Sequence, residues 1–171
     1  MPTKEYEQSA FEFIQEFYEH SSEINGEGGL GWFLENSTYT ERLAKVYKDL
    51  DIANVSEGRV PAFTYFYVRE EDDKVIGMIN VRLALNDFLR EQGGHMGYSI
   101  RPTERGRGYG TQMLREALAF CKAIGLHEVV ITCDKINIVS AGIIKNCGGV
   151  LEAEFYSDFF KEVIQRYKVS S

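Results

Sequence analysis

Two stretches near the start of the chain repeat apolar side chains at helical spacing. Over residues 4–20 the apolar positions recur every three or four residues, with glutamates on the opposite face, which predicts an amphipathic helix. Residues 38–50 show the same period, and Thr38 precedes Glu41 by three residues, the spacing of a capping box. We therefore predict two helices, joined by a glycine-rich loop over residues 21–31.

After Pro61 the pattern changes to short runs of aromatic and β-branched residues. AFTYFYVR and VIGMINVRL flank the polar turn EEDDK, and together they predict an antiparallel hairpin over residues 62–83. HMGYSI (95–100) predicts a third strand. EVVITCD (128–134) is an almost continuous apolar run, which is typical of a central strand covered on both faces.

Two further helices and a final hairpin complete the pattern. The helices are predicted over residues 108–124 and 136–147, and the strands near 150–156 and 163–169. This order of elements indicates an α+β fold with a single mixed, mostly antiparallel central sheet flanked by helices. No repeat, low-complexity stretch or linker divides the sequence, so we expect one domain over residues 1–171.

The segment RPTERGRGYG places three glycines between an apolar strand and a long amphipathic helix. A helix start leaves backbone N–H groups without partners and carries partial positive charge. Glycines leave those N–H groups open to an anion. Gly106, Gly108 and Gly110, with Arg105 and Arg107, therefore fit a phosphate seat; a glycine-rich turn with solvated arginines fits the same composition. The spacing matches neither the Rossmann loop nor the Walker loop.

Composition narrows the class of partner. The net charge of −7 disfavours nucleic acid and anionic membranes, which bind basic surfaces, and is compatible with a cationic substrate. Met1 begins no charged-then-apolar leader, and no apolar run approaches about 18 residues, so we expect a cytoplasmic protein without a membrane partner. Cys121, Cys133 and Cys147 lack metal-ligand spacing, so we expect no metal.

Three groups of residues carry a family resemblance. Arg105–Gly110 matches an Arg/Gln-x-x-Gly-x-Gly/Ala loop, Asn137 and Ser140 match an Asn-x-x-Ala/Ser step, and Asn146–Val150 contains a helix-ending glycine before a strand. In this combination the chain resembles the GNAT superfamily of acyl-CoA-dependent N-acyltransferases, and most closely its bacterial branch of predicted acetyltransferases. The resemblance covers residues 62–168 in element order.

The resemblance implies a GNAT-like fold with a splayed strand pair and acetyl-CoA as cosubstrate. Backbone N–H groups of residues 106–111 would hold the pyrophosphate, and the pantetheine arm would lie between the third strand and the central strand. The implied cofactor-binding residues are Ser99, Ile100, Arg101, Arg105, Gly106, Arg107, Gly108, Tyr109, Gly110, Thr111, Asn137 and Ser140. For Asn137 a helix N-cap is an equally good interpretation.

The catalytic positions depart from the family pattern. Many members carry a tyrosine acid seven residues after the asparagine, where this chain has Ile144. Tyr98 is the candidate replacement, and Tyr109 and Tyr156 are alternatives. His95 is the candidate general base, because an imidazole titrates near neutrality; a partly buried histidine at the turn before the strand is the structural alternative.

Candidate substrate-binding residues lie on the glycine-rich loop and on the second strand. Glu27 could meet an amine, although a solvated loop acid fits as well. Asn80 and Arg82 alternate with apolar residues on one strand face, which an exposed sheet face also explains.

We therefore expect an N-acetyltransferase that moves an acetyl group from acetyl-CoA to a primary amine of a small molecule or peptide, by direct attack in a ternary complex. The alternatives are a catalytically inactive acyl-CoA-binding sensor or subunit on the same fold, and an unrelated phosphate-binding protein. A homodimer is expected by analogy alone.

Overall fold

The computed structural model describes residues 1–28, 30 and 37–170. Positions 29 and 31 of the predicted loop lie outside the described residues. Both predicted N-terminal helices are confirmed: α1 is Glu7–Glu19, after a 3-10 turn at Lys4–Tyr6, and α2 is Tyr39–Lys48. The capping box forms, because Thr38 Oγ1 accepts from the Glu41 N–H and the Glu41 carboxylate accepts from the Thr38 N–H.

Six strands form two three-stranded antiparallel halves. The first half has the order β1-β2-β3, with β1 Ala62–Arg69, β2 Lys74–Arg82 and β3 Met96–Ile100. The second has the order β4-β6-β5, with β4 Glu128–Asp134, β5 Val150–Ser157 and β6 Glu162–Ser170. Helix α3 (Tyr109–Ala123) connects the halves, and α4 (Ile138–Asn146) follows β4.

The two halves join where β3 and β4 begin. The His95 N–H donates to the Val130 carbonyl (2.7 Å), and the Val130 N–H donates to His95 Nδ1 (2.9 Å). Gly94 has φ +63°, and a Cβ there would lie 2.7 Å from the Val130 oxygen. Only glycine fits this position, because a side chain would collide with the neighbouring strand. Beyond this junction the strands separate, which confirms the α+β class with a splayed pair.

Helices cover both faces of the first half. Apolar residues of α3, including Leu114, pack on one face, whereas α4 packs on β4 and β6 of the second half, and Leu114, Ile131 and Ile144 belong to one core. Phe13 and Phe17 of α1 pack on the other face. No helix in the described part of the chain is long and apolar enough to cross a membrane.

Candidate active site

A cleft of about 600 Å³ opens where β3 and β4 diverge. We call it the splay cleft. Its walls are the end of β3, the loop into α3, the start of α4 and residues of the loop after α1. Eleven residues predicted from the sequence to bind the cofactor or act in catalysis line it: Tyr98, Ser99, Ile100, Arg105, Gly106, Gly108, Tyr109, Gly110, Thr111, Asn137 and Ser140. Residues distant in sequence thus share one cavity.

The three glycines of the loop have two different roles. Gly106 and Gly108 adopt φ +79° and +82°, and a Cβ at either would meet no atom within 4 Å. Gly108 is the N-cap of α3 and has no side chain to cap the helix, and the residues at this helix start line the splay cleft. At Gly110 a Cβ would lie 2.7 Å from Ile143 Cδ1, so this glycine allows α3 and α4 to pack closely.

Arg105 presents a fixed positive charge at the splay cleft. Its Nε donates to the Ile100 carbonyl (3.1 Å), its Nη2 donates to Ser22 Oγ (2.8 Å), and its guanidinium lies 5.3 Å from the centre of the Phe17 ring. No acidic side chain in the described residues pairs with it. Burial lowers the pKa of Arg105, and the charge of Glu16 opposes this effect; the group remains a cation at neutral pH.

The structure corrects the assignment of Arg101 and Arg107. The Arg101 side chain is 3% exposed and turns away from the cleft, with its guanidinium on the Glu16 carboxylate (3.2 Å) and on two backbone carbonyls. Arg107 is exposed and pairs with Glu104 (3.0 Å). Neither lines the cleft in the described residues, and each already has an acidic partner within the protein.

The strand edge that faces the cleft is also different from the expected one. The Arg101 N–H donates to the Ile76 carbonyl of β2 (2.9 Å), and Ser99 lies two residues earlier on the same edge. Alternate residues of an antiparallel strand point their backbone groups to opposite edges. The backbone groups of Tyr98 and Ile100, not those of Ser99 and Arg101, therefore face the splay.

Tyr98 reaches across the splay to α4. Its hydroxyl lies 2.9 Å from Ser140 Oγ. Burial raises the pKa of Tyr98 above its ordinary value of 10, and the Ser140 hydrogen bond opposes this only in part. Asn137 Oδ1 accepts from the Ser140 N–H (3.0 Å), so the N-cap interpretation is confirmed. Ile144 is fully buried in the core, away from the cleft.

The geometry excludes His95 as a general base. Its Nδ1 already accepts a hydrogen bond from the Val130 N–H, and burial lowers its pKa, so the ring is neutral at pH 7. A neutral imidazole that accepts at Nδ1 carries its proton on Nε2. No lone pair remains to take a substrate proton, and His95 does not line the splay cleft. The expected base is corrected to a structural histidine that joins β3 to β4.

A second cavity of about 440 Å³ lies on the α1 side of the sheet, and we call it the side pocket. All three candidate substrate residues line it: Glu27, Asn80 and Arg82. Asn80 Nδ2 donates to Thr64 Oγ1 (3.1 Å), and Arg82 Nη1 donates to the Gly93 and Gly94 carbonyls (2.9 and 3.0 Å). The three residues are therefore in one place, but two of them are already held by the protein.

The loop after α1 borders both cavities. Ser22, Glu23 and Asn25 line the splay cleft, whereas residues 26–28 line the side pocket. The Asn25 N–H donates to Ser99 Oγ (2.7 Å), and a Cβ on Gly26 would lie 2.1 Å from the Gly97 oxygen. The loop backbone thus presses on β3 between the two cavities.

Two carboxylates that the sequence did not single out hold the glycine loop. Glu16 accepts from the N–H and the hydroxyl of Thr103 (2.8 and 2.7 Å). Burial opposes ionisation of Glu16, but these hydrogen bonds and the charge of Arg101 outweigh it and lower the pKa. Glu104 is 5% exposed and pairs with Arg69 (3.0 Å). Glu16 sits on the polar face of α1, so no sequence pattern predicts this contact.

Among the described residues, no group of three or more histidine, cysteine, aspartate or glutamate side chains could hold a metal ion.

A family model described as acetyltransferase (GNAT) domain matches residues 31–150. Human N-acetyltransferase 8B is 24% identical over 119 residues, which is 68% of this chain. The chain spans about half (52%) of the length of that relative.

Solved structures share the fold across nearly the whole chain. The ribosomal-protein-S5-alanine acetyltransferase of Vibrio fischeri superposes with a TM-score of 0.71 at 17% identity, over 99% of this chain and 90% of that one. The microcin C7 self-immunity acetyltransferase MccE, in complex with acetyl-CoA and AMP, gives a TM-score of 0.67 at 17% identity, over 99% and 89%. At 17% identity these two structures show only that the fold is shared. The family assignment rests on the family model, which matches residues 31–150. The chain belongs to the GNAT acetyltransferase family.

Proposed function

We propose that the protein transfers an acetyl group from acetyl-CoA to a primary amine of a small molecule or peptide, by direct attack in a ternary complex. The proposal rests mainly on one observation. An open helix N-terminus at Gly108 and a strand edge at Tyr98 and Ile100 share the same cavity. A long ligand with a phosphate at one end and amide groups along its arm fits this arrangement. The family assignment and the acetyl-CoA bound by MccE support it.

The splay cleft offers each part of acetyl-CoA a chemically matched surface. The N–H groups at the start of α3 and the Arg105 guanidinium suit the pyrophosphate, because both favour negative charge. The backbone groups of Tyr98 and Ile100 suit the amides of the pantetheine arm, as in the addition of a strand to a sheet edge. Asn137 uses its oxygen as a helix cap, and its amide N–H groups suit the same arm.

In the reaction the amine nitrogen attacks the thioester carbonyl carbon, a C–N bond forms and the C–S bond breaks. A strand N–H at the splay would stabilise the developing oxyanion, an effect often worth about 3 kcal/mol. Because burial raises the pKa of Tyr98, its hydroxyl stays protonated through the neutral range and can donate a hydrogen bond to the leaving thiolate. In this proposal the Tyr98 hydroxyl takes the place of the tyrosine hydroxyl that many family members carry at the position of Ile144.

The acceptor enters from the side pocket in this proposal. Glu27 borders that pocket on the loop that also borders the splay cleft. Its carboxylate would hold the ammonium group and take its proton, because His95 is excluded from this role. One proton of the ammonium thus passes to Glu27 before the attack. After the C–N bond forms, the nitrogen loses its second proton, which the Tyr98 hydroxyl can relay to the departing sulfur, so that a neutral amide forms and CoA leaves as the thiol.

The first experiment is calorimetric titration of acetyl-CoA into the native protein and into Gly108→Glu. A carboxylate at the helix N-terminus should repel the pyrophosphate, and we expect the affinity to fall by about 100-fold or more. Gly125→Glu is the matched control, because Gly125 ends the same helix with φ +83° and an equally open Cβ position. Equal affinity of all three proteins would overturn the proposed cofactor site.

An amine screen that monitors thiol release then tests turnover. Release that depends on an amine supports the enzyme. Acetyl-CoA binding without release for any amine would instead identify the acyl-CoA sensor, and displacement of CoA by ATP would identify a general phosphate-binding protein.

A further inference from the structure

Arg82 is a partly buried cation with unused donors. Its Nη1 donates to the carbonyls of Gly93 and Gly94. A guanidinium has five N–H donors, and the three on Nε and Nη2 meet no acceptor in the described residues. Burial lowers the pKa of Arg82, opposed in part by the charge of Glu27. Arg82 lines the side pocket and the three donors are not sealed in the core, so an acceptor that enters the pocket can take them.

Three other arginines that are partly or fully buried show what Arg82 lacks. Arg69 pairs with Asp72 (2.7 Å), Arg101 with Glu16 (3.2 Å) and Arg166 with Glu152 (2.9 Å). Within the described residues no carboxylate lies within 4 Å of the Arg82 guanidinium. Arg105 of the splay cleft also lacks an acidic partner, although its side chain is more exposed. In the side pocket Arg59 is exposed and likewise has no ion pair in the described residues. Arg82 differs from both because it is partly buried.

The side pocket carries charges of both signs. Asp49 lines the pocket, but Lys45 Nζ pairs with it at 2.9 Å and neutralises it. Glu27 remains as the carboxylate that can meet a cation. Two cations remain, the exposed Arg59 and the partly buried Arg82 that the Gly93 and Gly94 carbonyls hold in place. The pocket volume of about 440 Å³ suits a small molecule with both charges.

We propose that the side pocket binds a carboxylate-bearing primary amine, with its carboxylate on Arg82 and its ammonium group toward Glu27. The substrate role of this molecule rests on the proposed function; its binding does not. A planar guanidinium holds a carboxylate through two parallel hydrogen bonds, so Arg82 selects the acceptor by its anionic end while the amine is directed toward the splay cleft.

The test uses protein saturated with CoA, which carries no acetyl group, so that binding is measured without reaction. Calorimetry compares ω-amino acids of two to six carbons with the n-alkylamines of the same length that lack the carboxylate. We expect at least one ω-amino acid to bind about tenfold or more tightly than its alkylamine, since a hydrogen-bonded charge pair contributes that much. The best chain length reports the span between Arg82 and Glu27.

Three variants test whether Arg82 causes this difference in affinity. Arg82→Gln should reduce the ratio of the ω-amino acid affinity to the alkylamine affinity to about one. Arg82→Lys keeps the charge but lacks the planar guanidinium that forms two parallel hydrogen bonds, so it should reduce the ratio in part. Arg115→Gln removes an exposed arginine from the outer face of α3 and should keep the native ratio. Unchanged thermal midpoints with CoA show that each variant is folded.

A native ratio near one at every length, or an unchanged ratio in a folded Arg82→Gln protein, would overturn the inference. If the ratio behaves as expected but the bound amino acids are not acetylated when acetyl-CoA replaces CoA, the carboxylate site stands and the proposed reaction fails.

Discussion

The two cavities on either side of the loop after α1 are built in opposite ways. The splay cleft is made mainly of backbone: an open helix N-terminus after Gly108, a strand edge at Tyr98 and Ile100, and a junction that Gly94 keeps tight. The side pocket is made of side chains, with Glu27 from a loop and Asn80 and Arg82 from β2. In the proposed function the backbone surfaces hold the cofactor, whereas the side chains select the acceptor.

This difference predicts how each cavity responds to substitution. Cofactor binding in the splay cleft should suffer more from an added side chain, as in Gly108→Glu, than from the loss of one, whereas the side pocket should be sensitive to the removal of Arg82. Four substitutions, taken in order of decreasing effect, probe the splay cleft and the contacts that hold it.

Tyr98→Phe should lower kcat by about 100-fold, within the range of a positioned proton donor, while the dissociation constant of acetyl-CoA changes less than about twofold. In the proposed reaction the hydroxyl acts on the leaving thiolate, and the substitution leaves the backbone proposed to bind the cofactor unchanged. Steady-state kinetics and calorimetry separate the two effects. Tyr156→Phe, at an exposed tyrosine (58%), is the control and should have native kcat. A loss of affinity at constant kcat would show that the cleft depends on this side chain for binding.

Gly94→Ala should lower the free energy of unfolding by about 2–3 kcal/mol, from the strain of a positive φ and from the collision with the Val130 oxygen. Gly148→Ala isolates the strain alone, because Gly148 has φ +87° with no atom within 4 Å of a Cβ, and it should cost about 1 kcal/mol. Urea denaturation measures both. Equal losses of unfolding free energy in the two variants would mean that the collision with the Val130 oxygen adds no cost beyond the strain of the positive φ.

Arg105→Gln should weaken acetyl-CoA binding by about tenfold, because a held guanidinium makes charge-assisted hydrogen bonds to phosphate. Arg107→Gln should weaken it by less than about threefold, since the Arg107 side chain is 58% exposed and already pairs with Glu104, and exposed pairs contribute little. Titrations at two salt concentrations check both values. The reverse ranking would contradict the placement of Arg105 in the cleft.

The smallest effect is expected from Glu16 and depends on pH. Its pKa is lowered in the folded protein from an ordinary value of 4.5, so its contribution to stability is present above that pH and is lost as the pH falls through the folded pKa. Urea midpoints from pH 7 to pH 3 should therefore fall less steeply in Glu16→Gln than in the native protein. Parallel curves would show that Glu16 does not anchor the glycine loop through its charge.

Much of the fold follows from local patterns in the sequence. The predicted helices and strands are confirmed to within a few residues, because apolar periodicity and capping signals act over a few neighbours. The glycine loop was also predictable, since Gly106 and Gly108 lie directly before α3. Their role depends on backbone conformation and on the absence of side chains, which the residue types themselves encode.

The functional side chains depend on contacts that the sequence alone does not show. His95 has the right chemistry for a base, but the Val130 N–H takes its lone pair. Arg101 lies beside the glycine loop in sequence, yet its charge is used by Glu16 on α1. Tyr98, the proposed acid, is held by a hydrogen bond with Ser140, which lies 42 residues later in the chain.

The helices, the strands and the glycine loop can be read from the sequence because each depends on neighbouring residues, and the GNAT resemblance can be read from a few short motifs in a fixed order. The chain must fold before it is clear which strand edge faces the cleft, which arginines lack an acidic partner and that Glu27 and Arg82 share a pocket. These features depend on hydrogen-bond and ion-pair partners, and a partner can lie anywhere in the chain.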